Sequence, residues 1–193
     1  MKNEITGMKL RLIVMNFLQF AVWGAYLTSM GTYLFNIGLG AKIGLFYAMQ
    51  GIVSLFMPAI MGIIADRWVP AQKLYGFCHF MAAVFMVAAG WYGYVDGEAV
   101  SFGTLFTFYS LSVAFYMPTL ALTNSVAYTA LDKVKLDPVI AFPPIRIFGT
   151  IGFICSMLLT DILGFQNNYM QFFSCACSVS YTHLRAHETA ANL

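Results

Sequence analysis

Charges are spaced along this chain so that long uncharged stretches alternate with short polar connectors. After a basic lead holding Lys2, Lys9 and Arg11, residues 12–41 carry no charge, and Lys42 ends the run. A second uncharged stretch, 43–65, is closed by Asp66, Arg67, Trp68, Val69 and Pro70. A third, 74–95, is closed by Asp96, Gly97 and Glu98. The fourth covers 99–131, and Asp132, Lys133, Lys135, Asp137 and Pro138 belong to the connector after it. Each stretch is longer than the roughly 20 apolar residues an α-helix needs to cross a bilayer. The pattern predicts helices over 10–36, 42–65, 71–95, 99–131 and 139–160, and a sixth from 162 that is incomplete at 177. Pro118 falls inside the fourth and should kink it, which neighbouring helices can tolerate by satisfying the freed carbonyl.

Composition moves the reading from long helices to membrane helices. The 193 residues are 60% hydrophobic and 9% charged, against roughly 25% charged in a soluble domain. The fold class is therefore an all-α membrane protein. A net charge of +2 with no long basic run argues against nucleic acid as a partner. Cys78, Cys155, Cys175 and Cys177 have no second ligand pair at zinc spacing and read as small hydrophobes, not a metal site or disulfide framework. No catalytic constellation and no cofactor motif emerges, so an enzyme is not expected. No short apolar region with a cleavage site precedes the first span, so a removable signal peptide is not expected either.

Orientation follows from the loop cations, because Lys and Arg accumulate on the cytoplasmic side. Lys2, Lys9, Arg11, Arg67, Lys73, Lys133 and Lys135 would share one side. Lys42 stands on the other with Asp96, Glu98 and Asp161. The amino terminus is expected in the cytoplasm.

One charge breaks the apolar pattern. Arg146 follows Pro143 and Pro144 at the start of the fifth span, and a charge costs about 2.5–3.5 kcal/mol at a helix centre and less near an end. Helical spacing puts Arg146, Thr150 and Phe153 at i, i+4 and i+7, on one face. A cation, a hydroxyl and a ring on one stripe suit a polar, planar small molecule. The competing reading is an arginine snorkelling to the headgroups. If the helix starts at Pro143–Pro144, its amino-terminal dipole disfavours the cation; if it starts at Pro138 capped by Asp137, Arg146 lies deeper. The residues alone weigh the two readings equally.

The first span offers a second stripe, Asn16, Gln19, Trp23 and Tyr26. Its amides and rings could line a polar cavity, although interhelical hydrogen bonding explains the stripe on its own. On the fourth helix Tyr116, Thr119, Thr123, Asn124 and Tyr128 read as packing, and His79 as a satisfied core group. Ser54, Pro58 and Gly62 at four-residue steps read as a helix–helix contact of small residues. The acids Glu4, Asp66, Asp96, Glu98, Asp132, Asp137 and Asp161 all lie at loops or span ends. A proton-carrying carboxylate inside a span is therefore expected outside this sequence.

Gly62-Ile63-Ile64-Ala65-Asp66-Arg67 resembles the G-x-x-x-D-R/K loop motif of the major facilitator superfamily, with Trp68-Val69-Pro70 departing from its usual continuation. Phe17-Leu18-Gln19-Phe20 with Trp23-Gly24, Phe56-Met57-Pro58-Ala59, Tyr116-Met117-Pro118-Thr119-Leu120 and Phe142-Pro143-Pro144-Ile145-Arg146 through Gly152-Phe153 resemble its bacterial nucleoside:proton symporter branch. The resemblance covers about residues 8–177. It implies the six-helix amino-terminal half of a twelve-helix major facilitator fold, its sixth helix truncated. The implied activity is nucleoside import by proton symport in the bacterial inner membrane, with the lipid bilayer and a carboxy-terminal half as partners. It implies a substrate site at Arg146, Thr150 and Phe153, to which the first-span stripe adds Gln19, Trp23 and Tyr26 as candidates. It assigns Gly62, Asp66 and Arg67 to the cytoplasmic gate. The rival readings are a carrier of another polar solute, such as a sugar or drug, and a non-transporting assembly or sensor module.

The tail 178–193 is polar where a sixth helix should stay apolar. It resembles one reading frame of a transposase adapter used in sequencing libraries and is set aside as non-native. His183 and His187, though spaced like helical metal ligands, go with it.

Overall fold

Hydrocarbon offers no water to backbone amides, so each crossing segment must close its own hydrogen bonds, and the chain does so with helices. The computed structural model describes residues 2–179; the tail beyond Val179 lies outside the described residues. The first span is two helices, α1 (Lys2–Tyr26) and α2 (Met30–Asn36), followed by α3 (Ile43–Arg67), α4 (Ala71–Asp96), α5 (Phe102–Lys133) and α6 (Pro138–Ile162). A short apolar helix, α7 (Met170–Val179), follows. Among the described residues five segments, Ile5–Asn36, Gly40–Arg67, Ala71–Asp96, Phe102–Lys133 and Pro138–Ile162, are long and apolar enough to cross a membrane.

Three boundaries differ from the sequence reading, and the start of the fifth span is decided between its two options. The expected continuous helix over 10–36 is broken at residues 27–29, where the Ser29 hydroxyl lies 3.2 Å from the Ala25 carbonyl and 3.0 Å from Gln171 Oε1. This polar contact holds the bend in place. The fifth span starts at Pro138, not at Pro143–Pro144: Asp137 Oδ1 accepts the Val139 amide at 2.9 Å, and Pro138 has no amide to leave unpaired. Pro143 and Pro144 then deprive Val139 and Ile140 of their amide donors, which is tolerable because both residues are 75% exposed near the helix end. The sixth helix starts at Met170 instead of 162. Gly164 takes a left-handed φ of 69° and ends α6, and residues 165–167 form a single tight turn. At the other end, Ser178 and Val179, assigned to the non-native tail from sequence, continue α7, and Val179 is buried.

Two apolar clusters fill the bundle. One, toward the amino-terminal side, gathers Leu12, Met15, Tyr75, Cys78, Val126, Leu131 and Phe142. The other gathers Tyr26, Tyr33, Phe46, Met86, Tyr109, Tyr116 and Phe172. Buried with them are Asn16, Gln19, His79, Thr119 and Thr123. Helix α3 stays largely outside: Leu55, Phe56 and Ile63 are exposed and only Phe46 and Met61 are buried. Among the described residues the small-residue stripe on α3 therefore makes no close helix contact. Ser54 is exposed and donates to the Gly51 carbonyl, and a methyl on Gly62 would meet open space.

The tightest pairing is α1 on α6. A Cβ on Gly24 would run into the Phe153 carbonyl, and one on Gly152 into the Phe17 carbonyl. The two backbones touch where these glycines cross, as small residues permit between membrane helices. The Thr160 hydroxyl donates to the Ala25 carbonyl at 3.3 Å further along the same pair.

Gly152→Ala should therefore cost stability, by about 1–3 kcal/mol for an overpacked contact. Gly44→Ala, facing open space on α3, should be neutral or stabilising. Thermal unfolding of the two variants in detergent checks the contrast.

Candidate functional site

The α1–α6 crossing sets out the candidate site. Arg146 lies two turns into α6, past the first turn where the helix dipole would oppose a cation. Its guanidinium Cζ stands 4.2 Å from the centroid of the Phe20 ring on α1. Nη1 is buried, with no hydrogen-bond partner among the described residues. Gly149 makes room for the ring, since a Cβ there would stand 2.6 Å from Phe20 Cδ2. One turn beyond Arg146 the Thr150 side chain is exposed, and Phe153 is half-buried. Phe20 also lies 6.3 Å from Trp23, centroid to centroid, and the Trp23 Nε1 is buried with no partner among the described residues. Arg146, Thr150, Phe153 and Trp23 thus gather along one helix pair, with two buried N–H donors uncommitted.

The other residues of the α1 stripe sit differently. Gln19 is fully buried and turned toward α4 and α5. Its Nε2 donates to Thr119 Oγ1 at 2.7 Å and its Oε1 accepts from the Tyr75 hydroxyl at 2.8 Å. Its backbone carbonyl accepts from the Tyr116 hydroxyl. The Thr119 hydroxyl in turn donates to the Tyr116 carbonyl at 2.6 Å. Gln19 thereby ties three helices together. Tyr26 is buried edge-on to Tyr109, with ring centroids 6.1 Å apart. Asn16 donates back to the Leu12 carbonyl at 3.0 Å. The loop-motif residues form a separate group: Asp66 and Arg67 are exposed in the last turn of α3, one turn beyond Gly62.

Sequence reasoning missed Phe20 as a partner of Arg146. The available signal was Gly149 with Gly152, a pair of small residues three apart that marks close helix approach. It also missed a polar cavity of about 280 Å³ at the far end of α1 and α6. Thr28, Ser29, Thr32, Thr160, Asp161 and Gln166 line it, and Asp161 Oδ1 accepts from Gln166 Nε2 at 2.7 Å. Met157, also in its lining, and Asp161 continue the Arg146–Thr150–Phe153 face at helical steps. The cavity thus lies on the same face of α6 as the arginine, separated from Thr150 by the apolar Phe153 and Met157. All four cysteines are free, and among the described residues no group of three His, Cys, Asp or Glu could hold a metal ion.

Comparison with known proteins gives concordant matches. The family model described as nucleoside H+ symporter matches residues 6–185. Xanthosine permease of Escherichia coli (strain K12) is 41% identical over 167 residues, covering 85% of this chain and 38% of the relative. Nucleoside permease NupG of the same organism is 39% identical over 170 residues, covering 86% and 39%. A crystal structure of nucleoside transporter NupG superposes with a TM-score of 0.84 at 37% identity, covering 94% of this chain and 44% of that one. The chain spans less than half the length of these relatives.

The hub at Gln19 is testable by itself. Gln19→Leu removes the acceptor of the buried Tyr75 hydroxyl and the donor to Thr119, which keeps its bond to the Tyr116 carbonyl. The cost should be about 1–3 kcal/mol, as for a buried group left unsatisfied. Tyr75→Phe should then cost less in the Gln19→Leu background than in the wild type, as read from thermal unfolding midpoints.

Proposed function

The chain belongs to the nucleoside H+ symporter family, and from that premise we propose that it forms the amino-terminal half of a carrier importing nucleosides with protons. The observation that carries the substrate assignment is Arg146: a guanidinium inside an apolar span, steadied by a ring, with a buried N–H that nothing on the described chain accepts. A group so placed is satisfied when a solute brings acceptors to it. Ribose hydroxyls and base carbonyls are such acceptors, and a planar N–H fork suits paired oxygens. Thr150 adds a hydroxyl contact, and Phe153 and Trp23 offer apolar faces to the sugar or base. Gln19 and Tyr26 support this wall from behind.

Alternating access would rock this half against a second one around a midplane site. Gly62, Asp66 and Arg67 act at the cytoplasmic gate, with Asp66 and Arg67 pairing across helix ends. The proton-carrying carboxylate lies in the other half, because the acids of this chain stand at loops and span ends. The loop cations support an amino terminus on the cytoplasmic side, in a carrier of the bacterial inner membrane. The function is passage of an unmodified solute, which needs neither catalytic residue nor cofactor.

In the complete carrier, Arg146→Ala should weaken uridine uptake at least about tenfold, the loss expected for one charge-assisted hydrogen bond. Arg146→Lys should restore it poorly, for want of the planar fork. Excess nucleosides, and not sugars, should compete with radiolabelled uridine; unchanged uptake by Arg146→Ala would remove the site assignment. This chain reconstituted alone in liposomes should show no concentrative uptake. A fluorescent reporter fused to the amino terminus should light up in the cytoplasm.

A further inference from the structure

Arg146 lies in surroundings that oppose a cation, yet it keeps donors uncommitted. A carboxylate would compensate the charge but would also occupy the N–H fork, leaving less for a solute. A ring does otherwise. The negative face of an aromatic quadrupole attracts a guanidinium laid flat upon it and leaves the in-plane N–H groups free. Phe20 offers such a face: Arg146 Cζ stands over its ring, 4.2 Å from the centroid, and the buried Nη1 is unpartnered among the described residues.

The ring is itself held. Gly149, between Arg146 and Phe153 on α6, is the notch in which it rests, because any Cβ there would collide with Phe20 Cδ2 and Cε2. Gly24 and Gly152 fix the distance between the two helices on either side of that notch. Trp23 flanks the ring on the α1 side, 6.3 Å away and tilted by 48°. The position of Phe20 is therefore set by backbone contact and not by the ligand.

We propose that Phe20 is a positioning residue: its ring face holds the Arg146 guanidinium in the orientation that takes the oxygen acceptors of a nucleoside. The proposal rests on the reading of Arg146 as a substrate contact. It deepens that reading by naming what compensates the charge and aims the fork. An aliphatic residue of similar size would fill the space and lose the quadrupole, whereas another aromatic would keep it.

The test measures uridine affinity by calorimetry and uridine uptake in proteoliposomes, using the complete carrier. The variants are Phe20→Leu, Phe20→Trp, Arg146→Gln and the Phe20→Leu/Arg146→Gln pair. Phe20→Leu should raise Kd and KM about tenfold with the maximal rate changed by less than about twofold, while Phe20→Trp stays near wild type. In the Arg146→Gln background, Phe20→Leu should add no further loss. Wild-type affinity in Phe20→Leu overturns the proposal. So does equal impairment of Phe20→Leu and Phe20→Trp, or a full additional loss in the Arg146→Gln background, since each would mean that the ring acts by packing. If Arg146→Gln itself binds uridine as well as the wild type, the substrate-contact reading fails and this one with it. A weakened Arg146→Gln beside an unaffected Phe20→Leu removes only the role of Phe20.

Discussion

The contact on which the rest depends is backbone against backbone, where α1 crosses α6 at Gly24 and Gly152. Within a membrane, helix association gains little from the hydrophobic effect, because lipid tails are as apolar as the side chains. Close packing has to supply the attraction, and only residues without a Cβ allow the approach seen here. Once the two backbones touch, the neighbouring positions are decided. Phe20 has one place to go, over Gly149, and the first long side chain it meets there is Arg146. A structural necessity thus delivers a ring to a cation.

A second constraint runs across the middle of the bundle. Gln19, Tyr75, Tyr116, Thr119 and Thr123 are buried between two apolar clusters and bond to one another or to nearby carbonyls. Individually such bonds are modest between membrane helices, near 0.6 kcal/mol on average in measured cases. Their directional demand is strict, because an unpaired amide in this environment is costly. The network fixes how α1 stands against α4 and α5, while Phe17, Phe20 and Gly24, on another face of the same helix, meet α6.

The outward faces complete the picture. Helices α3 and α6 expose Leu55, Phe56, Ile63, Ile147 and Ile162, a surface suited to an apolar environment. The α6 stripe lies open beside them, with Thr150 exposed and a polar cavity at its far end. In the proposed reading this chain, under half the length of its relatives, supplies one wall of the site, the wall that carries Arg146.

Much of this was legible in the residues. Charge spacing located the spans, because the energetic cost of a charge in hydrocarbon is nearly independent of what surrounds the helix. Asp137 followed by Pro138 carried the correct start of the fifth span as one of two options, since capping is local chemistry. The stripe Arg146–Thr150–Phe153 followed from helical periodicity. The shared face of Asn16, Gln19, Trp23 and Tyr26 followed in the same way, but periodicity says only that residues share a face, not what the face meets. That Gln19 bonds to Tyr75 and Thr119 depends on residues 56 and 100 positions away. The left-handed Gly164 that delays the last helix stands beside Gln166, Asn167 and Asn168, a turn signal the sequence did carry, whereas the break at residues 27–29 depends on Gln171. The partner of Arg146 was hidden for the same reason: Phe20 stands 126 positions earlier, and 146 − 20 encodes no periodicity. The sequence by itself determined which segments enter the membrane and which cation goes with them. Only the tertiary structure decided what that cation rests on, because pairing between distant helices is set by the depth of glycine contacts that no local pattern measures.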